Sequence, residues 1–124
     1  MRQLRPHLNE ADFVRRIAVL RGQGYQLLAA IVDGRPAALA GFRVLESLAW
    51  GRFVYLDDLV TDEAYRSQGY GGQLFDWLVD FCRDNGLAEL HLDSGVQRFA
   101  AHRFYLRRKM DISCHHFALK IVSH

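Results

Sequence analysis

Two periods of apolar and polar residues succeed one another along this chain, and each change of period marks an element. Phe13, Val14, Ile17 and Leu20 recur at helical spacing behind Asn9, a residue suited to an N-cap, with Asp12 three positions on as a short-armed capping partner. This predicts a helix to about Arg21, with those four residues as its buried stripe. Residues 25–32 read as an apolar strand, Asp33-Gly34-Arg35-Pro36 as a turn, and 37–45 as the returning strand. A loop follows at 47–51, then a strand over 53–61. Leu74, Phe75, Leu78, Val79 and Cys82 then stand at i, i+1, i+4, i+5 and i+8, which predicts a helix from about Gly71 to the Asn85-Gly86 stop. A strand over 87–92 comes next and is expected to lie parallel to strand 53–61 through a right-handed crossover. Residues 96–108 read as a helix and 112–122 as a final strand. No repeat, linker or low-complexity segment interrupts the pattern, so residues 1–124 are expected to form one α/β domain.

Composition narrows the class. Half of the 124 residues are hydrophobic and 24% are charged, which is globular rather than disordered. The net charge of +2 supplies no strong field toward nucleic acid or a membrane surface. No apolar run approaches the ~20 residues a bilayer requires, and Met1-Arg2-Gln3-Leu4-Arg5-Pro6 is no signal peptide. Two cysteines, one of them on a helical apolar stripe, read as reduced thiols of a cytoplasmic protein.

The chemistry concentrates where strand 53–61 passes into the following helix. Arg66-Ser67-Gln68-Gly69-Tyr70-Gly71-Gly72 places a glycine-rich turn between the two. The first amides of a helix have no partner within it, its dipole favours negative charge, and glycines leave room for a phosphate. The turn therefore reads as a phosphate cradle, with a plain strand-to-helix connection as the bland alternative. A Walker loop is excluded, because Gly72 is followed by Gln73-Leu74 rather than Lys-Ser/Thr. The spacing of Gly69, Gly71 and Gly72 also breaks the dinucleotide fingerprint.

What the spacing does match is Arg-x-x-Gly-x-Gly (Arg66, Gly69, Gly71) behind Leu59-Val60-Thr61-Asp62-Glu63-Ala64-Tyr65, with Phe99-Ala100-Ala101-His102-Arg103-Phe104-Tyr105 later in the chain. This resembles the GNAT superfamily of N-acetyltransferases over roughly residues 25–122. The resemblance implies the acyl-CoA N-acyltransferase fold, a mixed central sheet with helices on both faces, and acetyl-CoA as cofactor. It assigns the backbone of Arg66, Ser67, Gln68, Gly69, Tyr70, Gly71 and Gly72 to the coenzyme pyrophosphate. Backbone groups of Leu59, Val60 and Thr61 are implied to meet the pantetheine and the thioester oxygen. The family usually begins with a short strand and a helix before the region matching Asn9 to Arg21, whereas Met1 stands almost at that helix, so either the start given is too late or the sheet lacks its usual edge strand. An open sheet edge at strand 25–32 would invite pairing, so a homodimer is expected.

Acetyl transfer to an amine needs a proton for the leaving thiolate, and Tyr105 is the first candidate donor. Aromatics at helical spacing are more often core, but the family's general acid commonly occupies this tyrosine. Asp57 and Asp58 follow Tyr55-Leu56, a stretch similar to the Tyr-Leu-Glu-Asp of polyamine-type members, which gives Asp57 the role of a base acting through water. Strand alternation predicts that Asp57 and Asp58 face opposite ways. A salt bridge to a nearby arginine is the structural alternative for either carboxylate. Arg98 stands where the family often has a coenzyme-facing asparagine, and an arginine can still reach a phosphate. Arg107-Arg108-Lys109-Met110 replaces the family's closing Gly-Phe, so the turn after this helix is expected to be altered. Adjacent strand residues point apart, so Cys114-His115-His116 is not read as a metal site. The basic run around Arg103 and Arg107 reads as a solvated or coenzyme-facing surface rather than a nucleic-acid site. The expectation is direct transfer from acetyl-CoA to a primary amine of a small molecule or a protein in a ternary complex, with the acceptor left open. The rival reading is a CoA-binding or regulatory module without turnover.

Overall fold

The computed structural model describes residues 9–122, so the expected absence of a first strand before α1 falls in part outside the described residues. The chain forms two compact units, one ending at Leu92 and the other beginning at Asp93. In the first, helix α1 (Glu10–Gly22) precedes strands β1 (Gln26–Val32), β2 (Arg35–Ser47) and β3 (Gly51–Thr61), helix α2 (Tyr70–Asp84) and strand β4 (Glu89–Leu92). The sheet order is β1-β2-β3-β4. The first three strands are antiparallel neighbours, and β4 lies parallel to β3, as the crossover required.

Local chemistry explains most of these boundaries. The Asn9 side chain accepts from the Asp12 amide at 2.8 Å and starts α1. Asp12 itself turns to Arg15 instead of completing a reciprocal cap. Asp33 (φ 51°) and Gly34 (φ 75°) are both left-handed, which is the two-residue turn whose twist suits a hairpin. Gly86 (φ 66°) takes the left-handed position after α2. The core forms where α2 lies on the sheet: Leu74, Phe75, Leu78 and Cys82 are buried with Ala38, Ala40, Phe42, Val54 and Leu56. The Phe42 ring meets Phe81 edge-on at 5.8 Å. Burying each large side chain in such a layer is worth about 1.5–3 kcal/mol.

Two expectations are corrected here. Helix α1 buries none of its residues: Val14 is 62% exposed, and Phe13, Ile17 and Leu20 are only half-covered. An amphipathic stripe is buried only where a second layer faces it, and the described residues supply α1 with an incomplete one. The second unit holds helix α3 (Phe99–Arg107), but residues 112–122 form no strand among the described residues. Their apolar alternation has no ladder partner, and a strand is stabilised by its neighbour rather than by propensity alone.

Candidate active site

At the end of β3 the chain is bent by a series of local hydrogen bonds. Asp62 caps the 3-10 turn Glu63–Tyr65 by accepting from the Ala64 amide at 2.9 Å. Ser67 (φ 64°) and Gly69 (φ 82°) then reverse the backbone into α2. Gly69 is the N-cap and offers no side chain, so no side-chain cap closes the start of α2, and the helix's own ladder begins only with the Gln73 amide on the Gly69 carbonyl at 3.0 Å. A Cβ on Gly71 would stand 3.1 Å from Thr61 Oγ1, so the helix start lies tight against the strand end. Arg66, Ser67, Gln68, Gly69, Tyr70, Gly71 and Gly72 thus occupy one loop and one helix N-terminus, with Leu59, Val60 and Thr61 leading into it. Uncapped amides at the positive end of a 15-residue helix can receive an anion.

The β3–β4 ladder stops at the Leu56–Leu92 pair, while β3 continues to Thr61. Just past that point the β2–β3 register skips Asp57: Gly41 opposes Asp58 and Phe42 opposes Leu56. This bulge overturns the expectation that the two acids face apart, because simple alternation fails across an extra residue. Asp57 receives Arg43 Nε at 2.9 Å and Nη2 at 2.8 Å, and Asp58 receives the Tyr25 hydroxyl at 2.7 Å. Arg43 and Gly41 are two apart on β2 and share a face, so both carboxylates lie on it. Gly41 makes room for the buried Tyr25 ring, since a Cβ there would fall 1.6 Å from its hydroxyl oxygen. The hydrogen bonds that Arg43 donates to Asp57 raise the Arg43 pKa above its ordinary value, which holds the guanidinium charged, and its cation also lies 5.3 Å over the Tyr55 ring.

Periodicity and motif place Arg43, Tyr25 and Gly41 in strands without singling them out for the site. Gly41 was the available signal, because an isolated glycine within a strand marks a bulge or a close approach.

In the second unit Arg98 is the N-cap residue of α3, and Tyr105 lies on that helix half-buried beside Phe104. Burial raises the Tyr105 pKa, and the nearby Arg98 charge partly opposes the rise. The phenol therefore keeps its proton beyond the ordinary tyrosine range, as a donor must. The turn after α3 departs from expectation. Lys109 adopts the left-handed conformation (φ 66°), its amide donating to Leu106 at 3.0 Å and the Met110 amide to Tyr105 at 3.2 Å. These two bonds satisfy the helix's last carbonyls as a glycine-closed end would, offsetting the strain on a side-chain-bearing residue.

A strand, an uncapped glycine turn and a helix in this order on a mixed sheet are the parts of an α/β domain that can receive an anion. The model of the acetyltransferase (GNAT) family matches residues 2–110, and the chain belongs to that family. An uncharacterized N-acetyltransferase, YhdJ, of Bacillus subtilis (strain 168) is 37% identical over 106 residues, covering 85% of this chain and 75% of that protein. Among solved structures, a transcriptional regulator from Bacillus halodurans C-125 shares the fold with a TM-score of 0.80 at 21% identity, over 90% of this chain and 76% of that one. AAC(6')-Iy, solved in complex with the bisubstrate analog CoA-S-monomethyl-acetylneamine, shares it with a TM-score of 0.78 at 15% identity, over 98% and 86%.

Proposed function

We propose that this chain is an acetyl-CoA-dependent N-acetyltransferase that transfers an acetyl group directly to a primary amine in a ternary complex. The observation that carries this reading is the uncapped N-terminus of α2 behind a left-handed Gly69, in a member of a family of acetyltransferases. The amides of residues 66–72 would hold the coenzyme's pyrophosphate, and Arg66 and Arg98 would add charge toward its phosphates. Leu59, Val60 and Thr61, on the part of β3 beyond the β4 ladder, would present backbone groups to the pantetheine arm. When bound, acetyl-CoA supplies the activated acyl thioester.

The protein's own groups then handle protons. Asp57 takes one from the acceptor ammonium through water while Arg43 fixes its carboxylate; Tyr105 holds one at its hydroxyl for the departing sulfur. Residues 1–124 act as one catalytic domain in this reading, a proposal supported by a family match that crosses the boundary at Leu92. The protein works in the cytoplasm as a homodimer, a reading supported by two free cysteines and by β1 lying at the sheet edge among the described residues. The acceptor is a small-molecule amine or a protein amine.

An acetylation assay across a panel of primary amines, run beside a calorimetric titration with CoA, tests the proposal. Turnover with at least one amine and saturable CoA binding are expected. Binding without turnover on any amine would leave the regulatory-module reading standing instead.

A further inference from the structure

We infer that the acceptor is a primary amine that also carries an oxyanion, a carboxylate or a phosphate monoester, and that Arg43 is the residue that selects it. This deepens the acetyl-transfer reading and rests on it for the reaction, though not for the binding. Asp57 and Asp58 make this part of β3 acidic in sequence, yet the face they share is no acidic patch, because Arg43 stands on it. A guanidinium presents its N–H groups along two edges, and each edge can hold an oxyanion by a pair of parallel bonds. Asp57 occupies the Nε/Nη2 edge of Arg43, at 2.9 and 2.8 Å. The planarity of the group turns the Nη1/Nη2 edge away from Asp57, and among the described residues nothing accepts from Nη1.

Two contacts set the direction of that second edge. Asp57 fixes the guanidinium from one side, and Tyr55, its cross-strand partner in the β2–β3 ladder, holds its plane with Cζ 5.3 Å from the ring centroid. The Arg43 side chain keeps 32% exposure, so the group is not sealed from a ligand. A fork aimed before the ligand arrives loses little freedom in holding it. An oxyanion on the second edge would share the guanidinium with the carboxylate proposed as base. An amine on the same small molecule then comes within reach of Asp57 through water. A second cation at that position would instead meet the guanidinium charge, so the geometry selects against a diamine or polyamine.

Acetylation of β-alanine, 2-aminoethyl phosphate, n-propylamine and 1,3-diaminopropane by the full chain tests the selection, since these short amines differ in the charge at the far end. At least one oxyanion-bearing amine should exceed the other two compounds in kcat/KM by about tenfold or more, and the leader of the pair tells carboxylate from phosphate. Arg43→Lys keeps a charge beside Asp57 without the two-edged fork. In this variant the KM of the leading amine, divided by that of n-propylamine, should rise by roughly the same factor. Taking the ratio cancels whatever the change does to Asp57. A natural chain that prefers n-propylamine or the diamine, or an unchanged ratio in folded Arg43→Lys, would overturn the proposal. Binding is read separately, and in the natural protein, so it decides even where the variant fails to fold. With nitrogen-15-labelled arginine, acetate or inorganic phosphate should shift the Arg43 guanidinium resonances saturably. Saturable shifts without turnover on any amine keep the oxyanion site and remove only the acetyl-transfer reading. The absence of a saturable shift with either anion removes the site, whatever the turnover.

Discussion

Gly69 and Gly71 would serve the proposed anion site in different ways, and substitution separates the two. At Gly69 the space is open but φ is 82°, a backbone conformation that a β-branched residue takes only with strain. At Gly71 the backbone is helical but the space is not, because Thr61 Oγ1 would meet a new Cβ at 3.1 Å. Gly69→Val should therefore reshape the turn, and Gly71→Val should push α2 away from β3. Both should weaken CoA binding at least tenfold in a calorimetric titration, and affinity retained in both variants would move the phosphate site elsewhere. Lys109 is the converse case, a left-handed residue with a side chain. Lys109→Gly keeps the same hydrogen bonds without the strain and should stabilise the protein by about 1 kcal/mol in chemical denaturation.

At the scale of elements, the bulge in β3 is what the periodic reading could not supply. Alternation assigned Asp57 and Asp58 to opposite faces because it counts every residue, whereas the ladder to β2 leaves Asp57 out. Helix α2 was legible because Leu74, Phe75, Leu78 and Cys82 face a layer that does bury them. The stripe of α1 and the strand at 112–122 were misread for a common reason: spacing reports which residues could be buried, and only a facing partner buries them. The glycine loop was legible in the residues themselves, but Arg43 was not, because its pairing with Asp57 arises from cross-strand register. Two variants probe this region. Gly41→Ala should cost about 1–3 kcal/mol by colliding with Tyr25, and much less in a Tyr25→Ala background where the collision is gone. Asp57→Asn tests the base: a loss of 10²-fold or more in kcat/KM with a little-changed melting temperature supports it. Near-normal kinetics with lower stability would assign the carboxylate to the Arg43 pair alone.

For the whole molecule, the glycine-rich turn belongs to the first unit and Tyr105 to the second, so each is tested by itself. Tyr105→Phe removes one hydroxyl and keeps the ring, so it asks whether the second unit contributes a proton or only packing. As a general acid the hydroxyl is worth roughly 10²–10⁴-fold, and turnover should fall by that order while CoA affinity holds. The pH dependence gives an independent reading. Burial raises the phenol's pKa above its ordinary value near 10, so the folded state favours the protonated form. Its contribution to stability is then complete below the unfolded pKa and is lost as pH rises through the folded one. Natural protein should lose stability more steeply above about pH 10 than Tyr105→Phe, whichever role the residue has. The catalytic role adds a second difference: a basic limb of the rate profile set by Tyr105 should move or vanish in the variant. An unchanged turnover number in folded Tyr105→Phe, with chemistry rate-limiting, would leave the residue a packing aromatic and send the search for the proton donor elsewhere.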